Sequence, residues 1–326
     1  MQTLPNNLRI GVIRGGPSAE YDVSLKSGAN VLKTLSETHR PLDIFISKDG
    51  TWHVQGIVRS PERILPHVDV VFNALHGAFG EDGKLQKILD HHGVKYTGSN
   101  SYSSAICMNK VLSKEIFIKH GLKTPHYAVI KRNDDIAEKV REIFKTFVMP
   151  VIVKPAGSGS SIGVSVVRTI PEIIDAARSA FKHGTSVLVE EFIKGKEATC
   201  AVMEDWRGQP VYALLPVEIR MKNEDKFFDY DSKYSDGACE EICPGKFLKD
   251  EKNVLEECAR KAHESLQLSH YSRSDFIVSP NRGVYILETN SLPGLTDESL
   301  LPKSLSAVGI STRDFLHHVL SLAMSG

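Results

Sequence analysis

Arg273-Ser274-Asp275-Phe276-Ile277-Val278-Ser279 and Gly283-Val284-Tyr285-Ile286-Leu287-Glu288-Thr289-Asn290 flank the turn formers Pro280-Asn281-Arg282. The runs Ser274–Pro280 and Gly283–Asn290 read as the two strands of a β-hairpin. A two- or four-residue loop sets Ser279 opposite Val284, and so Asp275 opposite Glu288 and Arg273 opposite Asn290. Strand side chains alternate between faces, so these four share one face, while Phe276 and Val278 pack on the other. Directly opposed Cβ atoms lie ~4.5–5.5 Å apart, and like charges held there repel. A cation between Asp275 and Glu288 would relieve that repulsion; a shared proton or a solvated edge would do so too. Carboxylates with an amide carbonyl are hard oxygen donors, suited to Mg²⁺ or Mn²⁺ and not to Zn²⁺. The neighbouring Asn290 and Arg273 favour a metal-phosphate site. A three-residue loop would shift the register and break the pairing.

Outward from the hairpin, strands and helices alternate. Leu8–Ile13 is strand-like and is followed by the small-residue loop Gly15-Gly16-Pro17-Ser18-Ala19 and a helical stretch, Val23–Leu35. Asp43–Ser47 and Val68–Ala74 have the length of buried strands, and Gly83–His92 reads as a helix ended by Gly93. This order predicts an α/β fold with a mostly parallel sheet, its ligands at the carboxyl ends of strands. The loops Gly15–Asp22 and Leu75–Gly83 fall there. Boundaries near Gly98 and Gly195 divide the chain into an N-terminal α/β substrate domain (1–98), a central unit (99–194) and an α+β C-terminal unit (195–326). The central unit carries one long helix, Ser103–His120, a glycine- and serine-rich loop within Val151–Arg168, and the strand Ser186–Phe192. The last unit holds a hairpin of Glu197–Met203 with Val211–Ile219, a helix Lys249–Leu268, and a helix capped by Ser311 with Asp314 three residues later. Arg220–Gly245 is too long and irregular for a connector and reads as a lid.

The chain has 326 residues, enough for two or three compact units, and 40 basic residues balance 40 acidic ones. Zero net charge gives no overall reason to bind nucleic acid or an anionic membrane. No signal peptide and no apolar run near the ~20 residues of a membrane span is evident, so a cytoplasmic protein is expected. Five cysteines, Cys107, Cys200, Cys239, Cys243 and Cys258, read as free thiols. Cys239 and Cys243 lack the second ligand pair of a zinc site.

A candidate phosphate-binding loop is Lys154-Pro155-Ala156-Gly157-Ser158-Gly159-Ser160-Ser161-Ile162-Gly163. Its glycines allow close backbone approach, and its serines add hydroxyl donors. The lysine precedes the glycines, unlike a P-loop; by composition alone such a loop is more often an ordinary hairpin connection. Lys110 and Lys154 are candidate phosphate partners. Glu20 suits a substrate amine or, equally, the N-terminus of the following helix. Taken alone, His76 reads as a loop histidine.

Several strings form an ordered set. Gly15-Gly16-Pro17-Ser18-Ala19-Glu20-Tyr21-Asp22-Val23-Ser24, Ala74-Leu75-His76-Gly77 and Gly80-Glu81-Asp82-Gly83 resemble the D-alanine–D-alanine ligase family. So do Lys154-Pro155, Gly159-Ser160-Ser161-Ile162-Gly163, Asp229-Tyr230 with Lys233-Tyr234, and Leu287-Glu288-Thr289-Asn290 with Pro293-Gly294-Leu295-Thr296. The resemblance implies an ATP-grasp fold of three domains, ATP as co-substrate and two Mg²⁺ or Mn²⁺ ions. It also implies ligation of two D-alanines through an acyl phosphate for peptidoglycan precursors, and suggests a homodimer.

By position, Asp275, Glu288 and Asn290 resemble the family's metal ligands. Arg273 and the Gly294 N–H resemble its oxyanion partners. Glu20, linked through Ser160 to Tyr234, is similar to the residue holding the first D-alanine ammonium, with His76 in support. Ser299 and Leu300 correspond to the second D-alanine's subsite. Lys110, Lys154 and Lys233 resemble phosphate contacts, as Ser161 does. Glu190, Glu191 and Ile193 resemble adenine contacts, and Glu197 the ribose contact. This chain departs from the family at Tyr21, where an arginine is common, and at Ser272-Arg273-Ser274-Asp275-Phe276, where Gly-Arg-Ile/Val-Asp is usual. Tyr234 matches the tyrosine that ester-forming relatives replace with phenylalanine, which favours an amine as second substrate. Another ATP-grasp amino-acid ligase is the alternative.

Overall fold

The computed structural model describes residues 4–5, 8–157, 159, 163–221 and 239–325. Strands β1 (Ile10–Gly15), β2 (Leu42–Ile46), β5 (Val70–Asn73) and β6 (Lys95–Tyr96) form a parallel array with β1 between β2 and β5. The expected parallel sheet is therefore present. It is extended at one edge by an antiparallel pair the sequence pattern did not suggest, β3 (Trp52–Val54) and β4 (Ile57–Val58). Its helices are α1 (Tyr21–Leu35), the short α2 (Pro61–Ile64) and α3 (Lys84–His91). Val12, Val70 and Phe72 are buried on one side with Val31 and Leu35 of α1; Ile13, Ile44 and Val71 are buried on the other with Leu85 and Leu89 of α3. Each such side chain contributes ~1.5–3 kcal/mol by leaving water.

The single long helix expected over Ser103–His120 is two helices, α4 (Ser101–Met108) and α5 (Lys110–Lys119). Asn109 has extended backbone angles, and its side chain accepts from the N–H groups of Val111 and Leu112. Asparagine is among the best N-cap residues, so it breaks one helix and starts the next. The Lys110 N–H, freed from a helical partner, donates to Ala156 O at 2.9 Å. That bond fixes the start of α5 beside the glycine- and serine-rich loop.

A second, antiparallel sheet follows in the order β7 (Tyr127–Lys131), β10 (Ser186–Glu191), β8 (Val151–Pro155), β9 (Ser165–Val167). Helices α6 (Ile136–Thr146) and α7 (Ile170–Ala180), N-capped by Asp135 and Thr169, bury Val140, Ile143, Ile173 and Ala177 against it. The third sheet is built around β11 (Lys196–Trp206). The expected partner strand Val211–Ile219 is divided into β12 (Gln209–Ala213) and β13 (Val217–Met221). Both pair with β11 at different positions, since Pro216 between them carries no N–H for a ladder. β14 (Cys239–Ile242), β15 (Tyr271–Ser279) and β16 (Gly283–Asn290) complete the sheet, and α8 (Lys249–Ser265) packs Leu255 and Ala259 against Phe276 and Ile286. After α9 (Leu300–Ala307), α10 (Thr312–Ser325) starts at the expected cap: Ser311 Oγ accepts from the Asp314 N–H and donates to its carboxylate. Phe315, Val319 and Leu320 of α10 return to the first sheet, in one core with Val12, Phe72 and Tyr271. Among the described residues none of the five cysteines forms a disulfide.

Candidate active site

The β15–β16 hairpin reaches its expected pairing by an unexpected route. Its loop has three residues, because Ser279 stands opposite Gly283 and not Val284. The Arg282 N–H donates to Ser279 O, and Gly283 takes φ +79°, a left-handed conformation that glycine adopts at no steric cost. The register is thereby one residue off as far as Phe276, which faces Ile286. A β-bulge at Leu287 restores it, so that Asp275 does face Glu288 and Arg273 does face Asn290. Leu287 is the extra residue and packs with Ile193, Ile277 and Tyr285.

The two opposed carboxylates are each met by a cation. Arg273 Nε and Nη2 donate to the two oxygens of Asp275, both at 2.9 Å, and Lys110 Nζ lies 2.9 Å from Glu288 Oε2. Thr199 Oγ1 donates to Asp275 Oδ1 at 2.7 Å, and Asn290 Nδ2 approaches Asp275 Oδ2 at 3.3 Å. Beside them lies a cavity of about 120 Å³ between the second and third sheets. Lys110, Lys154, Glu190, Glu191, Ile193, Glu197, Arg273, Asp275, Glu288 and Leu300 all line it. Its lining joins these charged groups to apolar Ile152, Phe192, Ile193, Ile277 and Leu287. Lys154 Nζ lies 2.8 Å from Glu190 Oε2, and Glu191 is tied to Arg282 of the hairpin turn.

Beyond the hairpin the loops Gly15–Asp22 and Leu75–Gly83 meet. Gly77 has φ +72°, and a Cβ there would sit 2.6 Å from Ser18 Oγ and 2.7 Å from Glu20 Oε2, so only glycine lets the loops touch. A Cβ on Gly159 would lie 3.5 Å from the same Glu20 oxygen. Glu20 occupies the N-cap position of α1 without capping it; its side chain turns towards these two glycines. His76 is buried, with Nδ1 3.0 Å from Leu292 O and Nε2 2.8 Å from Ser27 Oγ. A carbonyl only accepts, so Nδ1 carries the proton and Ser27 donates to Nε2 while accepting the Leu295 N–H. Burial drives His76 down to about 4, the Leu292 bond opposing and the Arg273 charge adding to the fall, so the ring is neutral at pH 7. Glu81 accepts the Gly77 N–H at 3.0 Å and is pushed up to about 8 by burial and by the charge of Glu20. Gly294 adjoins Ser299, whose Oγ accepts the Thr296 N–H. Ser160, Ser161, Lys233 and Tyr234 lie outside the described residues.

The family profile described as D-ala D-ala ligase C-terminus matches residues 116–321, and that described as D-ala D-ala ligase N-terminus matches 9–65 and 58–99. The chain belongs to the D-alanine–D-alanine ligase family. A D-alanine–D-alanine ligase from Geotalea uraniireducens is 40% identical over 316 residues, 97% of this chain and 95% of that protein. Among solved structures, the D-Ala:D-Ser ligase VanG of Enterococcus faecalis is similar at TM-score 0.85 and 29% identity, covering 97% of this chain and 99% of that one. The D-alanine–D-alanine ligase of Coxiella burnetii is similar at TM-score 0.84 and 26% identity, covering 98% and 95%.

The fold is thus the ATP-grasp fold, and the enzyme is an ATP-dependent ligase of peptidoglycan-precursor synthesis that uses a divalent metal. Among the described residues no group of three or more His, Cys, Asp or Glu side chains gathers as a ready cation cage. Two opposed carboxylates with one amide, next to lysines, fit instead a small hard cation that takes its remaining oxygens from phosphates. The Asn290 amide can present its oxygen by rotation. Among the described residues no helix is long and apolar enough to cross a membrane. Three side chains that contact or adjoin the candidate site residues were not singled out from sequence: Thr199, Glu81 and Lys114. Thr199 pairs with Asp275 across strands far apart in sequence and leaves no local signal. Glu81 lay within a family string, and Lys114 follows Lys110 by one helical turn.

Proposed function

We propose that this site joins two molecules of D-alanine, the first activated by ATP at its carboxylate and the second attacking through its amine. One carboxylate oxygen takes the γ-phosphoryl group to give an acyl phosphate; the amine then adds to that carbonyl and expels inorganic phosphate. Charge builds first on the phosphoryl oxygens and then on the tetrahedral oxyanion. One Mg²⁺ or Mn²⁺, two in the full complex, held by Asp275, Glu288 and Asn290 would screen phosphate charge. Lys110 and Lys154, with Lys233 and Ser161, hold phosphates. Glu190, Glu191 and Ile193 take the adenine, and Glu197 the ribose.

Glu20 accepts the ammonium of the first D-alanine, extended through Ser160 to Tyr234. Neutral His76 supports that subsite without repelling the ammonium. Arg273 and the Gly294 N–H receive the oxyanion, and Ser299 with Leu300 holds the second D-alanine. The reading rests above all on one arrangement: the Arg273–Asp275 and Lys110–Glu288 pairs in the lining of the cavity, with Arg273 close enough to His76 and Glu81 to act on both electrostatically. Incubation with ATP, Mg²⁺ and D-alanine should yield the dipeptide mass in step with ADP and phosphate. Phosphate release without dipeptide, or dependence on another acid, would overturn it. The likeness to a D-Ala:D-Ser ligase supports a second reading, in which the second substrate is D-serine. Equimolar D-alanine and D-serine in one reaction separate the two by product mass. ATP chemistry and cysteines outside any disulfide support the reading of a cytoplasmic enzyme.

A further inference from the structure

Helix α5 presents two lysines one turn apart to carboxylates on two different strands. Lys110 pairs with Glu288 and lines the cavity. Lys114 lies behind the wall: its side chain is fully buried, its Nζ is 2.9 Å from Glu190 Oε1, and it donates to Thr124 Oγ1 at 2.5 Å. Its ammonium also lies 5.8 Å from the centroid of the Tyr127 ring. The other oxygen of Glu190 faces Lys154 at 2.8 Å, and Glu190 and Lys154 both line the cavity. One buried carboxylate is therefore shared between a lysine in the cavity and a lysine out of reach of any ligand there.

A buried carboxylate stripped of its only cation is strongly disfavoured. With Lys154 as sole partner, drawing that ammonium onto a phosphate would strand Glu190. Lys114 removes the conflict. Burial would raise the Glu190 carboxyl, but Lys114 and Lys154 together hold it below the ordinary range. Burial brings Lys114 down to about 8, Glu190 pulling it back, so the ammonium keeps its charge at neutral pH. We propose that Lys114 is a positioning residue, the permanent counter-ion of Glu190, whose presence frees Lys154 to follow the phosphates of the nucleotide. This rests on the reading of Lys154 as a phosphate contact.

The test measures Michaelis constants and direct binding of ATP, ADP and adenosine for Lys114→Met. Loss of a buried counter-ion should raise the KM for ATP roughly 10- to 100-fold and weaken ADP likewise. Adenosine affinity and the KM for D-alanine should stay within about twofold of wild type. With Glu190→Gln added, the ratio of ATP to adenosine affinity should return to that of wild type, because no carboxylate then holds Lys154; the ratio cancels the effect of Glu190 as an adenine contact. An unchanged KM for ATP, or equal weakening of adenosine and ATP, overturns the proposal. Lys154→Met separates the two levels: if it leaves ATP binding intact, the phosphate reading itself fails; if it weakens ATP while Lys114→Met does not, only the counter-ion role fails. Should Lys114→Met not fold, E190Q is compared with K114M/E190Q. Equal ATP affinity supports the proposal, and a further loss in the double variant overturns it.

Discussion

Glu288→Gln is the most informative single change in the hairpin, because the structure gives it two separable consequences. The substitution keeps size and removes one negative charge. Without metal or nucleotide, Glu288 is the nearest anion to Lys110, whose side chain is only 7% exposed. Burial alone would lower the Lys110 ammonium, and Glu288 is the main group holding it above the ordinary lysine value. Breaking a buried pair from one side costs ~3–5 kcal/mol. Glu288 is 21% exposed and Glu190 still attracts Lys110, so ~2–3 kcal/mol is expected for the metal-free protein. The second consequence is catalytic: weakening a metal site that supplies several kcal/mol, taken as ~4, slows turnover about a thousandfold. Urea unfolding of the metal-free protein reads the first, and ADP release at saturating Mg²⁺ and D-alanine reads the second. Adding Lys110→Met should return most of the stability, since no unpaired charge is left, yet no activity. Turnover by Glu288→Gln within tenfold of wild type would refute the assignment of Glu288 to the metal.

Two further changes probe the surroundings of the hairpin. Thr199 has one hydroxyl proton and two acceptors, Asp275 Oδ1 at 2.7 Å and Ser274 O at 3.1 Å. Thr199→Val should cost ~1.5–3 kcal/mol of stability through the lost bond to the carboxylate, and should lower kcat with little change in the KM for ATP; kinetics and stability like wild type would contradict a role for that bond. Glu81, pushed up to about 8 in the folded protein, binds its proton more tightly folded than unfolded, so its contribution is complete below about 4.5 and is lost as pH rises through 8. Glu81→Gln removes this dependence, so the variant should gain stability relative to wild type between pH 5 and 9, by up to a few kcal/mol. Parallel urea midpoints across that range would contradict it.

The site was legible in sequence where chemistry is carried by strand alternation. Asp275, Glu288, Arg273 and Asn290 needed only the two-residue period and a hairpin. The route was not legible: a three-residue loop moves the register one way and the Leu287 bulge moves it back. Nothing local to Leu287 announces a bulge, because its side chain packs with Ile193 from a different part of the chain. The break between α4 and α5 was present in sequence as Asn109, a cap residue inside an apolar pattern that also fits one helix. That break matters to function, since it anchors Lys110 and aims Lys114 at Glu190. The cavity proposed for the nucleotide could not be read from strand period or composition: the resemblance named Lys110, Glu190, Glu197 and Glu288, and the packing of two sheets and a helix brings them to line it.

Oxygen tracing tests carboxylate activation most directly. D-Alanine labelled with ¹⁸O at both carboxylate oxygens is incubated with unlabelled ATP, Mg²⁺ and the enzyme, and the phosphate and dipeptide are weighed by mass spectrometry. Attack of the carboxylate on the γ-phosphoryl group requires one ¹⁸O to leave in inorganic phosphate for every D-alanyl-D-alanine formed. Phosphate free of ¹⁸O while the dipeptide accumulates would contradict an acyl-phosphate route.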